Sequence, residues 1–176
     1  ALRVFDDQGA GYFSWVEDAL QWVITNKDTY ANPITTVNLS LGTSWNDETV
    51  PSWTQLENEF QQLHDVGIFV SVSAGNSFQE FGQQVGLSYP AVSPWVVPVA
   101  SVTNGGAFSS FSQRHDRVIA AAGQSITSTV PDYLFGFDGV TDDFGTVSGT
   151  SMAAPFVAGA ATIVRQTMEF NGYTNI

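Results

Sequence analysis

Two periods of hydrophobic and polar positions alternate along this chain. Leu2 to Phe5 (LRVF) open it as a short apolar run that reads as a strand, and the glycine-containing turn DDQGAG follows. Ser14 and Glu17 then have the spacing of a capping box, and Val16, Ala19, Leu20 and Val23 fall on one side of a helix. The run TTVNLSL, Thr35 to Leu41, is β-branched and nearly continuous in hydrophobicity, which predicts a buried strand. Thr54 and Glu57 repeat the capping spacing, with Leu56, Phe60 and Leu63 as the apolar stripe and Gly67 as the stop. IFVSVSA, Ile68 to Ala74, reads as another buried strand, and WVVPVASV and RVIAAAG as shorter ones. A last helix is expected from about Ser151, with Pro155 tolerated in its first turn.

Strand and helix in alternation predict an α/β fold of three layers, α/β/α, around a mostly parallel sheet. In such sheets the chemistry gathers at the carboxyl ends of the strands. The loops expected there are DDQGAG, SLGTS and SAGNS. No repeat, low-complexity tract or linker divides the sequence, so residues 1–176 read as one unit.

Composition narrows the range of functions. A formal net charge of −12 disfavours nucleic acid and anionic membranes as partners and suits solubility. No apolar run approaches the roughly 20 residues that span a bilayer. Cysteine is absent, which removes disulfides and thiolate metal sites. The sequence lacks the charged start and apolar stretch of a signal peptide and opens on LRVF rather than Met, so a mature product or an excised piece is expected.

The candidate chemistry lies in GTVSGTSMAAPFVAGAA, Gly145 to Ala161. Gly149 permits close approach of a ligand, and Ser151 opens an alanine-rich helix thin enough to pack deep inside the fold. The free N–H groups of a helix start favour developing negative charge. A serine alcohol needs a base to become a nucleophile, and composition alone would equally make Ser151 a helix cap. Asn76, directly after a buried strand and within a glycine turn, suits either a left-handed turn or an amide donor.

The string S-G-T-S-M-A-A-P-x-V-A-G-A closely resembles the nucleophile segment of the subtilisin-like serine proteases, the subtilases. LRVFDDQGAGYFSWVEDALQWV, VNLSLG, VSVSAGNS, YPAVSPWVVPVASV, FSSFS and AAAGQSITST resemble further segments of that family in the same order. The resemblance implies the C-terminal portion of one catalytic domain over residues 1–176, with the N-terminal part of the domain missing. It implies a secreted serine endopeptidase in which Ser151 is the nucleophile and Asn76 an oxyanion donor. The loops Gly9, Ala10, Gly11 and Ser40, Leu41, Gly42 would sandwich a polypeptide substrate by strand addition. Ser73, Ala74 and Gly75 would line the pocket beside the scissile bond.

The base and its orienting aspartate are not found in the expected contexts. His64 in QLHDVG and His115 in SQRHDR lack the H-G-T-H setting of the family, and no aspartate stands in D-[ST]-G. Asp6 and Asp7 fall after the point where the histidine should have appeared. These two groups are therefore expected upstream, and with them a partner, the upstream part of the same catalytic domain. The chain alone is expected to be inactive and to fold poorly. Phe156 stands where the family usually has histidine, a packing change. No cofactor is required; the acidic stretch Phe137 to Gly145 is open to two readings, a structural calcium site held by its oxygen ligands or a solvated acidic loop of the same composition. A second reading is a non-catalytic pseudoprotease, a peptide-binding or scaffold module. A nucleotide-binding domain is set aside because neither G-x-G-x-x-G nor a P-loop is present.

Overall fold

A computed structural model describes residues 1–132 and 136–173. Four parallel strands form its sheet in the order β1 (Thr36–Leu39), β2 (Phe69–Ser73), β3 (Val97–Val102), β4 (Ile119–Ala122). Their register runs Thr36 opposite Phe69, Ser71 opposite Val97 and Val99 opposite Ile119. Helices α1 (Phe13–Asn26) and α2 (Glu57–Asp65) pack on one face, and the long helix α3 (Thr150–Phe170) crosses the other. This is the α/β/α arrangement expected of the alternating pattern, and the chain holds part of such a domain.

Strand alternation divides the core. Val70 and Val72 of β2 point toward α1 and α2, into the main cluster with Leu20, Phe60 and Leu63. Opposite them, Ser71 and Ser73 face α3, whose Ala153 and Ala154 are fully buried. Small residues on both sides bring helix and sheet close enough for the Ser71 hydroxyl to donate to the Ala154 carbonyl at 3.2 Å.

Several local expectations are corrected. Leu2 to Phe5 form no strand, because no strand lies beside them. An open cavity of about 750 Å³, lined by Leu2, Val4, Leu20 and Leu39 among others, separates them from the free edge of β1. Neither capping box forms. α1 starts at Phe13, which puts Ser14 inside it, and α2 starts at Glu57 behind Leu56, with no side-chain cap at either start. Pro155 sits in the second turn of α3 rather than the first. An antiparallel pair, β5 (Ile126–Thr129) and β6 (Phe144–Val147), was not anticipated. Its Thr and Ser residues face solvent, with Thr127 and Thr146 joined at 2.7 Å, so it shows no hydrophobic alternation.

Candidate active site

β6 leads through Ser148 and Gly149 into α3, and this junction organises the site. Gly149 precedes the helix in an extended conformation, φ 166° and ψ 160°, and supplies no side-chain cap. Asn76, at the end of the loop after β2, caps the helix instead. The Thr150 N–H and the Thr150 hydroxyl both donate to Asn76 Oδ1, each at 2.9 Å. The Gly75 N–H donates to the same hydroxyl at 3.2 Å. A backbone N–H can only donate, so these contacts fix which end of the Asn76 amide faces the helix. Its Nδ2 is turned outward and has no hydrogen-bond partner among the described residues.

The Ser151 N–H, one of the orphan donors of the helix start, is likewise unpartnered among the described residues. A Cβ built at Gly149 would lie 3.4 Å from Asn76 Nδ2 and 3.7 Å from the Ser151 nitrogen. Two free donors therefore flank one spot, which the absence of a side chain at position 149 keeps open. Gly123 holds the junction in place. Its carbonyl accepts the Gly149 N–H at 2.8 Å, and a Cβ there would meet the Gly149 oxygen at 2.7 Å.

Ser151 is half-buried, and its hydroxyl donates to the Ser40 carbonyl at 3.4 Å. Pro155 has no N–H to bond the Ser151 carbonyl four residues back. That carbonyl is taken instead by the Ser40 hydroxyl, which donates to it at 2.7 Å. Ser40 is itself held by Asn38 Nδ2 at 3.0 Å, and Asn38 Oδ1 accepts from Ser71 at 3.1 Å. A chain of polar side chains thus ties the carboxyl end of β1 to the start of α3. Nothing in the sequence pattern indicated this link.

The expected binding loops are also brought together. Asp6 closes the first by accepting the Gln8 and Ala10 N–H groups at 2.9 and 2.8 Å. Its own N–H donates to the Ala10 carbonyl, so Ala10 has spent its backbone groups within the loop. The Leu41 carbonyl accepts from Ser73 at 3.1 Å. Gly11 and Gly42, by contrast, have backbone groups without partners among the described residues. Both line a cavity of about 120 Å³ with Phe13, Val16 and Leu41. Of the third segment, Ser73 and Ala74 are buried and Gly75 reaches the surface.

Both histidines lie elsewhere. His64 ends α2, pairs with Asp65 at 3.4 Å and packs on Trp95. His115 Nδ1 accepts the Arg117 N–H at 3.1 Å. Each precedes a strand, β2 or β4, at the amino end of the sheet, whereas Ser151 meets β1 at its carboxyl end. Neither is bonded to Ser151. Asp138 of the acidic stretch, and Asp132 before it, use their carboxylates to accept backbone N–H groups of residues 138–140. Among the described residues no three His, Cys, Asp or Glu side chains converge.

A model of the subtilase family matches residues 1–175, and the chain belongs to that family. It is 32% identical over 166 residues to subtilisin J from Geobacillus stearothermophilus, covering 93% of this chain and 38% of that protein. Subtilisin from Bacillus pumilus is 32% identical over 165 residues, covering 93% and 52%. The thermostable alkaline protease of Halalkalibacterium halodurans is 32% identical over 176 residues, covering 99% and 41%. The chain therefore spans roughly two-fifths to a half of the length of the relatives it matches. These relationships make it part of a serine peptidase family, for which a polypeptide is the substrate class. No helix among the described residues is long and apolar enough to cross a membrane.

Proposed function

We propose that this chain is the nucleophile-bearing portion of a serine endopeptidase that cleaves peptide bonds through an acyl-enzyme on Ser151. The observation that carries the reading is the open spot between Asn76 Nδ2 and the Ser151 N–H. A carbonyl oxygen placed there would receive two hydrogen bonds as it becomes an oxyanion, from donors already oriented by Thr150 and the helix start. A base takes the Ser151 proton as the alcohol attacks, then returns it to the leaving amine. Water hydrolyses the ester and frees the serine. No cofactor enters these steps.

The base and its orienting aspartate belong, on this reading, to a preceding part of the same domain. Two uncovered apolar surfaces support that partner. One is the cavity between Leu2 to Phe5 and the β1 edge. The other, about 710 Å³, is lined by Phe156, Val164 and Ile119 beside α3. An unpaired strand edge and an exposed apolar helix face are both places where another polypeptide can pack. Secretion is part of the proposal and follows from the family resemblance, although one relative, 27% identical, is named a major intracellular serine protease of Bacillus subtilis.

Fluorophosphonate labelling tests the function. The full-length polypeptide should be labelled stoichiometrically at Ser151, with Ser151→Ala unlabelled and the 176-residue chain alone reacting slowly. An unlabelled full-length polypeptide that still binds peptides would establish the scaffold reading instead.

A further inference from the structure

The chain has 5 lysines and arginines, and all but one are spent within the molecule. Arg3 pairs with Asp7 and Lys27 with Asp28. Arg165 pairs with Glu169 and donates to the Gly67 carbonyl at 2.7 Å. Arg117 donates to the carbonyls of Val92, Ser93 and Val96. The Arg114 side chain has no hydrogen bond or ion pair among the described residues, and its Nε is buried without a partner. With 17 acidic side chains in the sequence, this guanidinium is still left unclaimed.

It is nonetheless held in place. The guanidinium carbon lies 4.1 Å from the centre of the Phe78 ring and 5.2 Å from that of Phe108. Phe78 is buried and forms a fixed floor, whereas Phe108 stands at the surface. Such cation–π contacts occupy the flat face of the group. They leave its in-plane N–H groups for an acceptor, in a fork that matches a carboxylate.

The position of Arg114 relates it to the chemistry. The sheet order sets out three things along the carboxyl edge: Ser40 to Gly42 after β1, Asn76 after β2, and Phe108 after β3, bridged to its last residue Val102. The Gln113 N–H donates to the Gly75 carbonyl at 2.9 Å, and Phe78 lies at most about 7 Å along the backbone from Asn76. Arg114 therefore stands past the oxyanion spot, on the side away from the two binding loops. At about 3.3 Å per residue, a peptide held by those loops reaches it a few residues beyond the cleaved bond.

Resting on the function proposed above, we infer that Arg114 binds a carboxylate of the polypeptide substrate, on the far side of the cleaved bond from the binding loops. The carboxylate is that of an acidic side chain or of the chain end.

The test uses the full-length polypeptide and internally quenched peptides with one cleavable bond and amidated ends. A single Glu or Gln is placed at each position in turn on both sides of that bond. On one side only, Glu should raise kcat/KM over Gln by about tenfold or more, the range of a hydrogen-bonded charge pair. A gain from a free C-terminus in place of the amide, without a gain from Glu, would assign the site to the chain end. Arg114→Gln should bring the ratio to about one. Arg114→Glu should favour Lys over Gln at the same position, a reversal that a misfolded protein cannot produce. The inference is overturned if neither Glu nor the free end gains, or if the gain survives Arg114→Gln. Absence of cleavage of every peptide overturns it together with the peptidase function. Labelling of Ser151, read separately, distinguishes the two: a labelled enzyme without the acid preference refutes this inference alone.

Discussion

Gly75→Ala should be among the most destabilising changes available near the site. Gly75 has φ +113°, a conformation L side chains rarely adopt. Holding an alanine there costs about 1–3 kcal/mol. The new Cβ would also stand 1.9 Å from Gln113 Oε1, so the Gln113 side chain must move. That side chain is buried, and its Nε2 donates to the Trp45 carbonyl at 2.9 Å and to Asn46 Oδ1 at 2.6 Å. Losing both bonds adds about 0.5–1.5 kcal/mol each, for a total near 4 kcal/mol. Urea unfolding of the full-length protein followed by tryptophan fluorescence measures the loss. Repeating it in a Gln113→Ala background separates the terms, since only the backbone cost of about 1–3 kcal/mol should remain. An equal loss in both backgrounds, or one below about 1 kcal/mol in the first, would refute the clash with Gln113.

Three further outcomes follow from the structure. Asn76→Asp keeps an oxygen for Thr150 but replaces the outward donor with a negative charge. It should leave the fold intact and lower kcat by at least about 10²–10³-fold, the loss known for removing such a donor in subtilisin. Ser40→Ala removes the partner of the Ser151 carbonyl and should cost about 0.5–1.5 kcal/mol in urea unfolding, with Ser40→Thr restoring most of it. Glu57 is held above its ordinary carboxyl value of 4.5 by burial, against the opposing effect of its bond to Ser93. A raised carboxyl binds its proton more tightly in the folded state, so its contribution is present at low pH and lost as pH rises from about 4.5 through the raised value. Glu57→Gln, which keeps an acceptor for Ser93, should flatten that fall; unfolding curves from pH 4 to pH 8 of the two proteins that stay parallel would contradict it.

The parallel strands were legible because burial on both faces leaves a nearly continuous apolar run, as in VNLSL and IFVSVSA. Helix starts were less so. Ser14 and Thr54 have the residue types of caps, yet tertiary packing starts each helix elsewhere. The antiparallel pair of β5 and β6 leaves no such pattern because neither of its faces is fully buried. At the site, the residue types at positions 76 and 151 could be read from the sequence. What could not be read was the outward turn of the Asn76 amide, which depends on Thr150, or the bond across 111 positions between Ser40 and Ser151.

Pro155 has a consequence for how the cleft responds to load. Because the proline leaves the Ser151 carbonyl unclaimed by its own helix, the hydroxyl of Ser40 anchors it to the strip on which an incoming peptide would lie. A tug on that strip is passed to the alcohol through one short linkage, with no intervening loop to absorb it. On the proposed function, the peptide-binding strip and the nucleophile are thereby a single mechanical part.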